Sequence, residues 1–308
     1  MERAPEWREE LAAQLGARVD ALRLMAGGAS KETWAVDAGG ERLVVRRETG
    51  GAIHEGTLSL RHEFDLIAAA FEAGVKVPRP VRYLGAVGGR DAFAAERVDG
   101  ETIGRRIVRD PPPDLDLQLA EELAKIHALP AERLPFLERY DLLDRLEHEL
   151  DQIGEPHPAV EYGLRWLRDR RPEPLAPAVA HGDLRIGNVV VGPEGVRALL
   201  DWEFAHVSDP REDLAWPLVR AWRFGRDENR LGGVAGVERY LKRYADLTGR
   251  GVAPLDLHWW EVYGNVRWAV GALNQGRRHL TGQAHDVELA VIGRLAAEVE
   301  YELLHLVR

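Results

Sequence analysis

A two-lobed α+β fold is predicted by three features of this 308-residue chain. Short β-rich runs broken by paired glycines fill the first third. Longer runs with apolar residues at helical spacing fill the rest. Between the helices, Asp183, Asn188 and Asp201 form an ordered set of oxygen-bearing side chains separated by short apolar strands. A small antiparallel-sheet lobe is placed at residues 1–98 and a larger helical lobe at 99–308.

The small lobe opens with a short helix at 6–15, after Pro5. Strands are expected at 22–25, 33–36 and 43–47, with Gly27-Gly28 and Gly39-Gly40 as turns. Residues 59–72 place Leu60, Phe64, Ile67, Ala68 and Phe71 on one helical face, and Gly74 ends the run. Strands at 81–86 and 92–98, joined through Gly88-Gly89, complete a five-stranded sheet. From Asp99-Gly100 the pattern turns helical. Pro111-Pro112-Pro113 is a rigid break, followed by helices at 116–129, 136–153 and 159–169. Pro172 and Pro174 lead into a strand ending at His181. Helices at 211–222, 234–248, 255–278 and 285–307 close the chain.

Composition narrows the class. Hydrophobic residues make up 45% and charged residues 30%, ordinary values for a soluble globular protein. No run approaches the ~20 apolar residues of a membrane span, and the charged start has no signal-peptide core. There is no Cys, hence no disulfide framework and no thiolate chemistry. A reducing cytoplasm is the expected compartment. The net charge of −10 argues against a nucleic-acid partner. Nothing in the sequence sets the oligomeric state.

The chemistry concentrates in His181-Gly182-Asp183-Leu184-Arg185-Ile186-Gly187-Asn188 and Leu200-Asp201-Trp202-Glu203. Phosphoryl transfer needs one group to orient the attacking hydroxyl and hard oxygen ligands for Mg²⁺. Asp-x4-Asn followed by a strand-borne Asp is the catalytic-loop pattern of kinase folds. Asp183 is the expected base, and Asn188 and Asp201 the expected metal ligands. Arg185 could stabilise charge on the transferring group; a solvated surface arginine is the competing reading. His181 is expected to pack the loop, and His127 to sit in the core. In Leu43-Val44-Val45-Arg46, Arg46 stands where a phosphate-contacting Lys is usual, with Glu63 as its ion-pair partner and Arg47 on the opposite face. Gly27-Gly28-Ala29-Ser30-Lys31 is the expected phosphate-covering loop, through Gly27, Gly28 and Ser30; it is not a Walker A motif. Glu96-Arg97-Val98 should be the linking strand whose backbone meets the nucleotide base, making Glu96 and Val98 nucleotide-contacting positions.

With these motifs the chain resembles the aminoglycoside phosphotransferase superfamily, which shares the protein-kinase fold and includes choline and homoserine kinases. The subgroup it resembles most is the kinase-like domain of acyl-CoA dehydrogenase fusion proteins. The resemblance rests on His-Gly-Asp-x-Arg-x-Gly-Asn, Leu-Asp-Trp-Glu, then Asp209-Pro210-x-x-Asp213-Leu214-Ala215-Trp216, and extends over nearly the whole chain. It implies a Mg²⁺-dependent transfer of the ATP or GTP γ-phosphate to an alcohol of a small molecule. It also implies that Asp213 braces the catalytic loop and that Arg at position 46 is compatible with activity.

Only about ten residues separate Asp201 from the helix near Arg211, with Ser208 the one hydroxyl among them. A protein kinase needs a longer activation segment, so a small-molecule acceptor is favoured over a protein. The C-terminal half gathers Trp202, Trp216, Trp222, Trp259, Trp260 and Trp268, with Arg220, Arg223, Arg226 and Arg230 among or after them. As an acceptor wall these would suit an amphipathic anion, and the subgroup's association points to hydroxyacyl compounds. The competing readings are core tryptophans with solvated arginines, an aminoglycoside- or choline-type kinase, and a non-catalytic nucleotide-binding module suggested by Arg46.

Overall fold

The computed structural model describes residues 6–25, 31–49 and 56–308. The first lobe contains α1 (Arg8–Leu15), β1 (Val19–Leu24), β2 (Lys31–Ala38), β3 (Glu41–Glu48), α2 (Leu60–Glu72), β4 (Pro80–Val87) and β5 (Arg90–Glu96). The strands form one antiparallel sheet in the order β1-β2-β3-β5-β4. Strand periodicity decides which face each side chain meets. On β3, Leu43, Val45 and Arg47 are buried on one face, with Val36, Ala94 and Leu11 of α1 in the adjoining core. Val44 and Arg46 alternate with them. Ser59 caps α2 by accepting from the His62 N–H at 3.2 Å. The buried side of α2 carries Leu66, Ile67 and Ala70, and also the fully buried Glu63.

The second lobe contains α3 (Gly104–Ile107), α4 (Leu115–Ile126), α5 (Leu142–Ile153), α6 (Pro158–Asp169), β6 (Ala178–Ala180), β7 (Val189–Gly192), β8 (Gly195–Leu199), β9 (His206–Ser208), α7 (Arg211–Ala215), α8 (Glu238–Thr248), α9 (His258–Leu280) and α10 (Val287–Leu306). Two small antiparallel ribbons, β6–β9 and β7–β8, are set among the helices. They fix both ends of the segment that carries Asp183 and Asn188 and both ends of the turn that carries Asp201. Val179, Ile186, Val189, Leu199 and Trp202 anchor these ribbons in the large core. No helix among the described residues is long and apolar enough to cross a membrane.

Three predicted helices shift. The run at 136–153 becomes helical only at Leu142, because the Asp141 carboxylate caps there, accepting from the Leu143 N–H at 2.9 Å. The run at 211–222 breaks after Ala215 into 3₁₀ turns at Trp216–Leu218 and Arg220–Arg223; Pro217, which lacks an N–H, lies at the break. The run at 234–248 starts at Glu238, after the Leu231–Ala235 bridge.

Candidate active site

The catalytic segment leaves β6 at Ala180 and is tied down before it reaches Asp183. The carboxylate of Asp213, on α7, accepts from the His181 N–H at 2.7 Å and the Gly182 N–H at 2.9 Å. His127 lies 3.2 Å away on the same carboxylate and reaches the Tyr244 hydroxyl at 2.7 Å. Burial alone would raise the Asp213 carboxyl, but the His127 contact, followed by His181 with its N–H, outweighs it and brings it down to about 2. Gly182 has φ +77°, and a Cβ there would stand 2.3 Å from the Phe204 carbonyl oxygen; only glycine fits. His181 is fully buried against Trp202, with ring centroids 4.5 Å apart. Burial lowers its pKa, which favours the neutral ring, and its Nδ1 accepts from the Asp183 N–H at 3.2 Å. The histidine therefore packs the loop, as its sequence position suggested.

Asp183 follows with both oxygens engaged. Trp216 Nε1 donates to Oδ1 at 2.7 Å, and Asn188 Nδ2 donates to Oδ2 at 2.7 Å. The same Asn188 nitrogen reaches the Asp183 carbonyl at 2.8 Å. That leaves the Asn188 amide oxygen as the ligand-capable end of the side chain. Arg185 lies with Nε 3.5 Å from Asp183 Oδ1, its guanidinium 4.6 Å from the centre of the Trp222 ring.

Asp201 sits at the turn after β8 with φ 61° and ψ 64°, a left-handed conformation that non-glycine residues seldom adopt. Arg46 Nη1 bridges Asp201 Oδ1 at 2.8 Å and Glu63 Oε1 at 2.8 Å. Enclosure alone would raise the Asp201 carboxyl; Arg46, and Arg185 after it, lower it instead. The Arg46–Glu63 pair expected from the sequence is present. Arg47 faces the other way, donating to the Val87 carbonyl at 2.7 Å beneath Trp7.

Lys31 behaves differently from its reading as loop. It opens β2, is buried, and its Nζ lies 2.8 Å from both Glu63 Oε2 and Glu203 Oε2. The chain of charges Asp201–Arg46–Glu63–Lys31–Glu203 joins the sheet lobe to the turn after β8. The sequence points to its Arg46–Glu63 link but not to Lys31 or Glu203 as members. The expected phosphate-loop residues Gly27, Gly28 and Ser30 lie outside the described residues. Glu96 turns its side chain to Arg79 at 3.4 Å, and its N–H bonds the Arg79 carbonyl at 2.9 Å. Val98, half-buried, follows β5 on the link between lobes.

A cavity of about 390 Å³ opens beside Asp183, walled by Tyr140, Phe204, Trp216, Trp222 and Trp268 with Arg145, Arg185 and Arg267. The expected acceptor wall is thus half corrected. Trp216, Trp222 and Trp268 line the cavity, whereas Trp202, Trp259 and Trp260 are core residues, at most 6% exposed. The expected arginines are elsewhere. Arg220 pairs with Asp227 at 2.8 Å, Arg223 and Arg230 share Glu261 at 2.8 and 2.6 Å, and Arg226 lies 3.9 Å from Glu228. Arg223 and Arg230 thus turn to Glu261 on α9, and Arg220 and Arg226 to acids of their own segment. Arg145 and Arg267 come into the cavity from α5 and α9, a tertiary juxtaposition with no local sequence signal.

The chain belongs to the APH phosphotransferase enzyme family, whose model matches residues 21–257. It is 26% identical over 303 residues to mouse acyl-CoA dehydrogenase family member 10, covering 87% of this chain and 27% of that protein. It therefore spans under a third of that relative's length. It is 31% identical over 183 residues to the aminoglycoside 3′-phosphotransferase of Streptomyces ribosidificus, covering 56% of this chain and 68% of that one. Among solved structures, spectinomycin phosphotransferase in complex with ADP and spectinomycin superposes with a TM-score of 0.69 at 13% identity, covering 98% of each chain.

Proposed function

We propose that this protein transfers the γ-phosphate of ATP or GTP, in a Mg²⁺-dependent reaction, to a hydroxyl of a small-molecule acceptor, a hydroxyacyl compound. The observation that carries the reading is the Asp183 carboxylate, held between Trp216 and Asn188 on the wall of a largely apolar cavity. Held this way, the carboxylate can accept the proton of a hydroxyl that enters the cavity and aim its oxygen. Arg185, against Asp183, is placed to offset charge on the transferring group. Arg46, paired with Glu63 and Asp201 on the sheet side, would supply positive charge to the phosphates. The nucleotide would lie between lobes 1–98 and 99–308, with its base at the Glu96–Val98 backbone and Gly27, Gly28 and Ser30 as the proposed phosphate contacts.

The donors present fit a magnesium ion. Asp201 supplies a carboxylate kept ionised by Arg46, and Asn188 an amide oxygen. Among the described residues no cluster of three or more His, Cys, Asp or Glu forms a metal cage, consistent with an ion that takes few protein ligands and completes its shell with phosphate and water. When bound there, it would neutralise phosphate charge.

The three cavity arginines favour an anionic, chain-bearing acceptor over the aminoglycoside or choline class, whose cations would meet like charge. The test is a panel of hydroxyacyl compounds, aminoglycosides and choline-like alcohols, incubated with Mg²⁺ and ATP or GTP. Products are read by the mass of the added phosphoryl group. Phosphorylated hydroxyacyl product is expected; preference for the cationic alcohols would overturn the acceptor assignment.

A further inference from the structure

Building on this phosphotransfer reading, we infer that Arg267 selects the acceptor by binding a carboxylate on it, while Asp183 takes its hydroxyl. Arg267 projects from α9 into the cavity with its side chain 18% exposed. Its guanidinium carbon lies 4.5 Å from the centre of the Trp216 ring and 5.8 Å from that of Phe204. Its one ion-pair partner among the described residues is Glu212, a carboxylate shared with other side chains. Arg267 Nη1 to Glu212 Oε1 is 3.4 Å, while Glu212 Oε2 takes His206 at 3.0 Å and the Ser208 hydroxyl at 2.6 Å. A guanidinium has five N–H donors, and this contact uses one nitrogen. The same side chain lines the cavity. The cavity's other charges are Arg145, which pairs with Glu149 at 3.0 Å, and Arg185 beside Asp183. The cavity lining itself thus carries three guanidinium groups and two carboxylates, with the Glu212 carboxylate buried behind Arg267 and outside the lining.

Trp216 sets the spacing. Its face supports Arg267 and its edge donates to Asp183. The two contacts share one indole, so guanidinium and carboxylate stand within roughly 10 Å, the reach of about eight bonds at ~1.2 Å per bond of extended chain. The substrate class is therefore a hydroxy acid whose hydroxyl and carboxylate lie within that span, with the intervening carbons against Trp222 and Trp268.

The test compares hydroxyalkanoates with their methyl esters and with hydroxyalkyl phosphates of the same chain length, at saturating Mg²⁺-nucleotide. In the wild type the acid should exceed the ester in kcat/KM by about 10- to 100-fold, the range of a charge-assisted hydrogen bond. Arg267→Gln should erase that preference through KM, with nucleotide affinity retained; Arg267→Lys, which keeps charge without the fork, should recover part of it. An ester as good as the acid, or a preference that survives Arg267→Gln, overturns the assignment. A phosphate that outcompetes the acid overturns the carboxylate in favour of a phosphorylated acceptor. If no alcohol is phosphorylated, the phosphotransfer reading fails, and tryptophan fluorescence still decides the anchor. Saturable quenching by the acid alone, lost in Arg267→Gln, supports it; no quenching overturns it.

Discussion

Asp201 occupies a left-handed backbone conformation that costs a non-glycine residue about 1–3 kcal/mol. Arg46 holds its carboxylate at 2.8 Å. Asn tolerates the same backbone, so Asp201→Asn isolates the charge. It should weaken Mg²⁺-nucleotide binding by about 10- to 100-fold, measured by titrating nucleotide at fixed Mg²⁺; an unchanged Mg²⁺ dependence would remove Asp201 from the metal site. Asp213 gives a prediction in pH. Its carboxyl titrates at about 2 in the fold, below its ordinary 3.8. Between those values the unfolded chain binds the extra proton, so the stabilisation is complete above about pH 5 and is lost as pH falls through 4 towards 2. In urea unfolding, the gap between wild type and Asp213→Asn should shrink by about 2 kcal/mol over that range; a gap that does not vary with pH would contradict it. At this scale the sequence was legible wherever strand period or motif spacing fixed a position. Arg46 against Glu63 followed from the motif pattern, and Arg47 opposite from alternation along β3. Lys31 and Arg267 did not, because their partners come from elements remote in sequence.

At the scale of elements, the two small ribbons and α7 make the catalytic segment one rigid unit. Gly182 is its tightest point, facing the Phe204 carbonyl across the turn that follows Asp201. Gly182→Ala would force the two turns apart. It should cost about 1–3 kcal/mol of stability and lower turnover more than it weakens nucleotide binding. Thermal unfolding and nucleotide titration of the variant check this; wild-type stability and turnover would show that the close approach is not required. The order of elements was readable from periodicity, and the five strands with one helix after the third stand as expected. Boundaries were missed where a local polar contact or a proline decided them. Asp141 delays α5 by capping it, and the chain turns to 3₁₀ around Pro217. Those departures matter for function, because the break after α7 is what turns Trp216 towards Asp183.

Across the whole molecule, one line of ion pairs runs from Glu203 through Lys31, Glu63 and Arg46 to Asp201, tying the sheet lobe to the helical lobe. Asp183, held by Asn188 and Trp216, stands on the wall of the aromatic cavity. A nucleotide approaching from the sheet side and an acceptor from the cavity would meet at Asp183. Transfer to a hydroxyalkanoate from γ-labelled nucleotide, followed in wild type and Asp183→Asn beside the nucleotide affinity of each, examines that meeting point. Transfer should fall by about 10²- to 10⁴-fold, the usual contribution of a positioned proton acceptor, with nucleotide affinity nearly unchanged. Transfer that persists in Asp183→Asn, or that falls only in step with nucleotide binding, would show that Asp183 does not receive the acceptor hydroxyl.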